Sequence, residues 1–207
     1  MRAVVVDVGL GNVHSVHKAL ETAGEGRVEV VRSDDPDAVR RADRVIVPGQ
    51  GGFGTVARRL TGPIAEALKE SVERGVPYLG ICMGLQILFE RSEEAPGVAG
   101  FGWLRGEVRR LKVDRGLKIP HMGWNQIDLE HGGHPHLEQA GGAGSWFYFV
   151  HSFHAVPADP GLLRARSSYG SERITAAVAK ENLFATQFHP EKSQSAGLAL
   201  LASFLRG

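Results

Sequence analysis

A chain of 207 residues is long enough to bury one substantial core, and 43% hydrophobic with 23% charged residues is the composition of a soluble globular protein. The 24 basic residues barely exceed the 23 acidic ones, and a net charge of +1 without a basic stripe makes neither a nucleic acid nor a membrane surface the expected partner. One cysteine excludes an internal disulfide framework and fits a reducing, cytoplasmic setting.

In chain order, Arg2 to Val8 reads as a buried strand that Asp7 interrupts before a signal-peptide core could form. After the Gly9-Leu10-Gly11-Asn12 turn, Val13, Val16, Leu20 and Ala23 recur at helical spacing until Gly24 stops the helix. The strand–helix alternation repeats with Val28 to Arg32, Asp37 to Arg41 and Arg44 to Val47, then Pro48-Gly49-Gln50-Gly51-Gly52, a helix over Ile64 to Arg74 and a strand over Val76 to Ile81. Parallel strands need crossovers that helices supply, so this half predicts an α/β fold with a mostly parallel sheet covered on both faces. Beyond Phe101 the runs are short and strand-like: Gly106 to Val113, Asn125 to Glu130, Trp146 to Val150, Leu163 to Ser168 and Thr175 to Ala179. Additional antiparallel strands are therefore expected in the C-terminal half, with Gly132 to Gly144 a surface loop and Gln194 to Leu205 a closing helix. The whole of 1–207 reads as a single domain, and the apolar runs all fall short of the roughly 20 residues that span a bilayer.

The chemistry concentrates where the Val76 to Ile81 strand enters Gly80-Ile81-Cys82-Met83-Gly84-Leu85-Gln86. A cysteine between a buried strand and a helix start is a nucleophile elbow, and the flanking glycines relieve the crowding that such a sharp turn creates. Free N–H groups at the helix start favour the thiolate and can hold an oxyanion; Met83 N–H is the first donor and the turn at Gln50-Gly51 the second. Gln86 lies one helical turn beyond Cys82 on the same face, where its amide can reach the polar end of a substrate. A thiol nucleophile needs a base, and of nine histidines His189 stands out in Gln187-Phe188-His189-Pro190-Glu191, which follows a strand-like run. Residues two apart on extended chain share a side, so Glu191 can hold the His189 ring and support the imidazolium. His131, His134 and His136 lie in the expected loop without a metal-ligand spacing, and no metal or cofactor is expected. Gly9-Leu10-Gly11 supplies two glycines of a dinucleotide fingerprint but has His14 at the third position.

Gly80 to Gln86 together with Phe188-His189-Pro190-Glu191 resembles the paired signature of the class I glutamine amidotransferases, and the resemblance spans essentially the whole chain. Within that class, Asp7 to Asn12, Pro48 to Gly54, Pro120-His121-Met122-Gly123-Trp124-Asn125 and His189 to Ser193 are similar to the glutaminase subunits of imidazole glycerol phosphate synthases. The resemblance implies a flavodoxin-like class I fold and hydrolysis of L-glutamine through a glutamyl thioester on Cys82, with His189 moving protons and Glu191 orienting it. It also implies glutamine binding by Gln86, Glu94 and the His151-Ser152-Phe153 segment. Trp124, Asn125 and Lys192 would face a separate (β/α)8-barrel cyclase subunit that receives the ammonia. The chain departs from the family pattern at Gln50, where a small apolar residue is usual, and at Phe153, where tyrosine is common. Alternatives are the glutaminase subunit of pyridoxal phosphate or anthranilate synthase, a thiol peptidase or γ-glutamyl hydrolase, and a non-enzymatic flavodoxin-like module in which Cys82 is a core residue.

Overall fold

Three consecutive valines with no polar residue between them suit only a strand whose two faces are both covered. In the computed structural model, which describes residues 1–9 and 11–207, β1 (Arg2–Val6) occupies such a place. Leu10 of the Gly9-Leu10-Gly11 turn lies outside the described residues. The N-terminal half continues with α1 (Val13–Gly24), β2 (Glu29–Ser33), α2 (Pro36–Arg40), β3 (Arg44–Gly49), α3 (Phe53–Arg59), α4 (Pro63–Glu73), β4 (Tyr78–Cys82) and the single-turn α5 (Met83–Gln86). The C-terminal half adds β5 (Arg91–Ser92), β6 (Gly106–Arg110), β7 (His121–Gln126), β8 (Asp128–Leu129), α6 (Pro135–Gln139), β9 (Trp146–His151), β10 (Phe153–Pro157), β11 (Leu163–Tyr169), β12 (Glu172–Lys180), β13 (Leu183–Thr186) and α7 (Gln194–Arg206).

Eight strands form one sheet in the order β2-β1-β3-β4-β13-β12-β11-β8. Pairing is parallel from β2 through β13 and antiparallel from β13 to β8, so the expected mostly parallel sheet with antiparallel additions is present. Strand alternation divides the core: Val4 and Val6 face a layer with Ile64, Ala67 and Leu68 of α4, whereas Ala3 and Val5 face Val13, Val16 and Leu20 of α1 and Leu200, Leu201 and Phe204 of α7. A three-stranded sheet, β10-β6-β5, and a two-stranded ribbon, β7-β9, stand apart from this main sheet. Among the described residues no helix is long and apolar enough to cross a membrane.

Three local expectations change. The 132–144 stretch contains α6, started by Pro135 at its first turn and by the His134 side chain accepting from His136 N–H, so it is not all loop. His134 stacks on Phe184 at 4.4 Å between ring centroids, and the His136 ring lies 2.9 Å from Ser203 Oγ, which gives both packing roles. Asn125 to Glu130 is not one strand: β7 begins four residues earlier at His121, and Ile127 separates it from β8 as the chain passes from the ribbon to the main sheet.

Burial holds an unusual set of histidines neutral. His121, His134, His136 and His154 are pushed down to about 4, and His151 to about 3, chiefly because a buried imidazolium loses its hydration. An unfolded histidine takes its proton near 6.5, so below that pH the unfolded chain binds more protons than the folded one and stability falls as pH drops toward 4. Thermal melts followed by circular dichroism are expected to show a lower midpoint at pH 5 than at pH 7. Equal midpoints would contradict this reading.

Candidate active site

The sole cysteine is the last residue of β4, and its backbone bends at φ +54°, ψ −102°, a region that residues with a side chain seldom occupy. Close packing around the bend shows why the neighbours are glycines. A Cβ on Gly84 would run into the Val47 carbonyl, and one on Gly80 into the carbonyl of Gly84. Both obstacles are backbone, which cannot swing aside. Gly84→Ala is therefore expected to destabilise the fold by about 2–3 kcal/mol, read from urea denaturation; a variant as stable as the parent would show that the elbow is not clamped in this way.

The bend aims Cys82 into a cavity of about 380 Å³. Gln50, Gly51 and Met83, the residues of the expected oxyanion turn and helix start, line it together with Cys82. Gln86, Glu94, His151, Ser152 and Phe153 contribute to the same cavity, and His189 and Lys192 close it. These sequence-predicted residues thus converge from the turn after β3, β4, α5, the turn after β5, β9, β10 and the segment after β13. Phe153 offers a backbone carbonyl here, which Gln86 Nε2 approaches to 2.9 Å. Gln86 Nε2 also donates to Gln187 Oε1 at 3.0 Å, so its donor end is engaged within the protein rather than free for a substrate. Glu94 accepts from Phe53 N–H at 2.7 Å and so caps α3, tying the glycine turn to the cavity wall.

His189 is held by its backbone first. Its N–H donates to the Tyr148 carbonyl at 2.9 Å, and Ser193 Oγ donates to its carbonyl at 2.6 Å while accepting from Tyr148 N–H. The ring nitrogen Nδ1 lies 2.8 Å from Glu191 Oε1, and the two side chains are 2% and 1% exposed. The route differs from the expected one. Pro190–Lys192 is a turn of 3-10 helix, so Glu191 reaches back under His189 by helical winding and not by strand alternation. Nε2 is buried without a hydrogen-bond partner among the described residues, which leaves it free for a reacting group. Burial opposes protonation of this ring, but the Cys82 sulfur and then the Glu191 carboxylate outweigh it and push His189 well above its ordinary range. The site thus favours an imidazolium at His189.

Trp124 and Asn125 do not share a face. Along β7, His121 and Asn125 turn inward while Met122, Trp124 and Gln126 turn outward, because alternate residues on a strand face opposite sides. Asn125 Nδ2 donates to Ser168 O at 2.8 Å and its Oδ1 accepts from Gln126 N–H, so this side chain is turned to its own chain. Across the ribbon, Trp146, Tyr148 and Val150 pair with Gln126, Trp124 and Met122. Met122, Trp124 and Trp146 are 62%, 43% and 52% exposed, an apolar outer face beside the cavity mouth. Lys192 lies over the Tyr148 ring at 5.7 Å, at the border between this face and the cavity.

Sequence reasoning assigned no role to Gln187, which is fully buried with Nε2 3.5 Å from Cys82 Sγ. The signal was present: Gln187 lies two residues before His189, with Phe188 between them packed on Phe147 at 4.0 Å.

The family model for glutamine amidotransferase class-I matches residues 4–206. The chain belongs to the class I glutamine amidotransferases. Family relatives include the imidazole glycerol phosphate synthase subunit HisH of Synechococcus elongatus, 47% identical over 97% of this chain and 91% of its own. The protein of the same description from Pyrococcus furiosus is 42% identical over 99% of this chain and 98% of its own. Among solved structures, a glutamine amidotransferase superposes with a TM-score of 0.74 at 19% identity, covering 98% of this chain and 97% of the other, which speaks for the fold alone. The PurLQS structure from Thermotoga maritima gives 0.71 at 26% identity over 99% and 97%.

Proposed function

We propose that this chain is the glutaminase subunit of an imidazole glycerol phosphate synthase, hydrolysing L-glutamine and passing ammonia to a (β/α)8-barrel cyclase subunit in the cytoplasm. The observation that carries the chemistry is that the bent Cys82, the Gln50–Gly51 turn and His189, backed by Glu191, share one cavity. The choice of acceptor rests on relatives of that description at 42–47% identity over nearly the full chain.

Cys82 sulfur attacks the side-chain amide carbon of glutamine, and the oxygen gathers negative charge as the carbon becomes tetrahedral. Met83 N–H and a backbone N–H of the Gln50–Gly51 turn stabilise that oxygen. Because the donors are backbone, the uncommon side chain at Gln50 is compatible with the task. His189, held as imidazolium by Glu191, gives its Nε2 proton to the departing nitrogen, so ammonia leaves and a glutamyl thioester remains. Neutral His189 then takes a proton from water, which attacks the thioester, and glutamate leaves as Cys82 is restored.

The apolar ribbon face fits a protein partner placed at the cavity mouth, where released ammonia can pass without meeting bulk water. Trp124→Ala is expected to weaken cyclase binding by about 2 kcal/mol, roughly thirtyfold, measured by titration calorimetry. Unchanged affinity would move the interface elsewhere. The functional test is a coupled assay with a candidate cyclase: glutamine should replace ammonium as nitrogen source only when this chain is present. A cyclase that neither binds the chain nor uses glutamine with it would overturn the choice of acceptor.

A further inference from the structure

We propose that Gln187 belongs to the thiol site as the side-chain donor to the Cys82 sulfur, and that the His121–His151 pair is a positioning device that holds it there. The inference deepens the glutaminase reading and rests on it for the role of Cys82.

The orientation of each group follows from three backbone anchors, the Phe153 and Ser168 carbonyls and Gln126 N–H. The Phe153 carbonyl can only accept, so the Gln86 atom 2.9 Å from it must be Nε2. Gln86 Nε2 also faces Gln187 at 3.0 Å, which requires Gln187 to present Oε1 there and turns its Nε2 toward Cys82 Sγ at 3.5 Å. An amide donating to a sulfur anion is charge-assisted, so it favours the thiolate over the thiol.

The same Phe153 carbonyl accepts a second bond. His151 Nδ1 lies 2.9 Å from it and must carry the proton, so the His151 Nε2 of a neutral ring is an acceptor. His121 Nδ1, 3.0 Å away, fills that acceptor, and His121 Nε2 accepts in turn from Asn125 Nδ2 at 3.2 Å. Asn125 cannot turn over, because its Nδ2 also donates to the Ser168 carbonyl and its Oδ1 accepts from Gln126 N–H. Burial keeps both rings neutral, as this sequence of single donors and acceptors demands. Two donor sequences therefore meet at the Phe153 carbonyl: Asn125, His121 and His151 donate in turn toward it, while Gln86 donates both to it and to Gln187, which donates on to Cys82. The first runs through the inner face of β7, the strand whose outer face carries Trp124.

The test is alkylation of Cys82 by iodoacetamide in the full chain without partner or glutamine, at pH 6 and pH 9. His189 beside the sulfur, its partner Glu191, and Glu94 and Lys192 of the same cavity are retained in every variant. Gln187→Met keeps the volume and removes the donor; alkylation should slow about tenfold at pH 6, the equivalent of one pH unit of thiolate stabilisation, and recover toward the parent rate at pH 9. His151→Leu should slow the reaction in the same pH-dependent way, and His151→Asn, whose amide can donate where Nδ1 did, should restore most of the rate. Parent rates in Gln187→Met at pH 6, or losses equal at both pH values, would overturn the proposal. If Gln187→Met fails to fold by circular dichroism, the two His151 variants decide, since equal rates in Leu and Asn would overturn the positioning role. Failure of the glutaminase reading is separately visible: the parent chain with its cyclase would release no ammonia from glutamine while these alkylation differences persisted.

Discussion

Cys82→Ala is expected to lower glutamine-dependent turnover of the complex by at least about 10⁴-fold while leaving the cyclase fully able to use added ammonium. The size follows from the chemistry: without sulfur no thioester forms, and the cavity holds no second nucleophile on a strained turn. The preserved ammonium reaction follows from the geometry, because Cys82 is 6% exposed and lines the cavity, to which Met122, Trp124 and Trp146 do not contribute. Loss of the ammonium reaction too would mean that the variant damages the partner interface. Retained glutamine use would remove Cys82 from the mechanism.

The second large effect is expected at Glu191. Glu191→Gln preserves shape but removes the charge 2.8 Å from His189 Nδ1, in a setting where both side chains are almost wholly buried. The Glu191 carboxylate is among the groups that raise His189, so its loss must lower the pKa of the ring. Less imidazolium is then available to protonate the departing nitrogen, and the alkaline limb of the pH–rate profile moves to lower pH. A fall of about 10²–10⁴ in kcat is expected, with KM little changed. An unshifted alkaline limb would show that Glu191 does not act through His189.

The N-terminal half was legible because its signals are local. Valine runs, helical apolar spacing and glycine stops are read within a dozen residues, and β1, α1, β3, α4 and β4 lie within about two residues of where they place them. The elbow was legible for the same reason, since Gly80, Cys82 and Gly84 are neighbours in sequence and the clash of a Gly84 Cβ with Val47 needs no distant information beyond the adjacent strand. What escaped was non-local. Helix α3 follows a glycine run that reads as loop, and it is capped by Glu94, 41 residues onward. The pairing of His121 with His151 depends on the β7–β9 register, which aligns residues 30 apart. Glu191 shows a subtler case: its partner was evident from spacing, but Pro190 starts a 3-10 turn, so the right contact arises by a different backbone path. Asn125 shows the opposite, since a motif that places Trp124 and Asn125 together says nothing of the alternation that separates them.

The most direct test of the central claim, that Cys82 is the nucleophile for glutamine, is intact-mass and peptide mass spectrometry after exposure to a glutamine-mimicking alkylating agent, with the cyclase present. One added mass is expected, located on Cys82, whose formation is suppressed by excess L-glutamine and absent from Cys82→Ala. Labelling at another residue, or labelling of Cys82 that glutamine does not suppress, would contradict it.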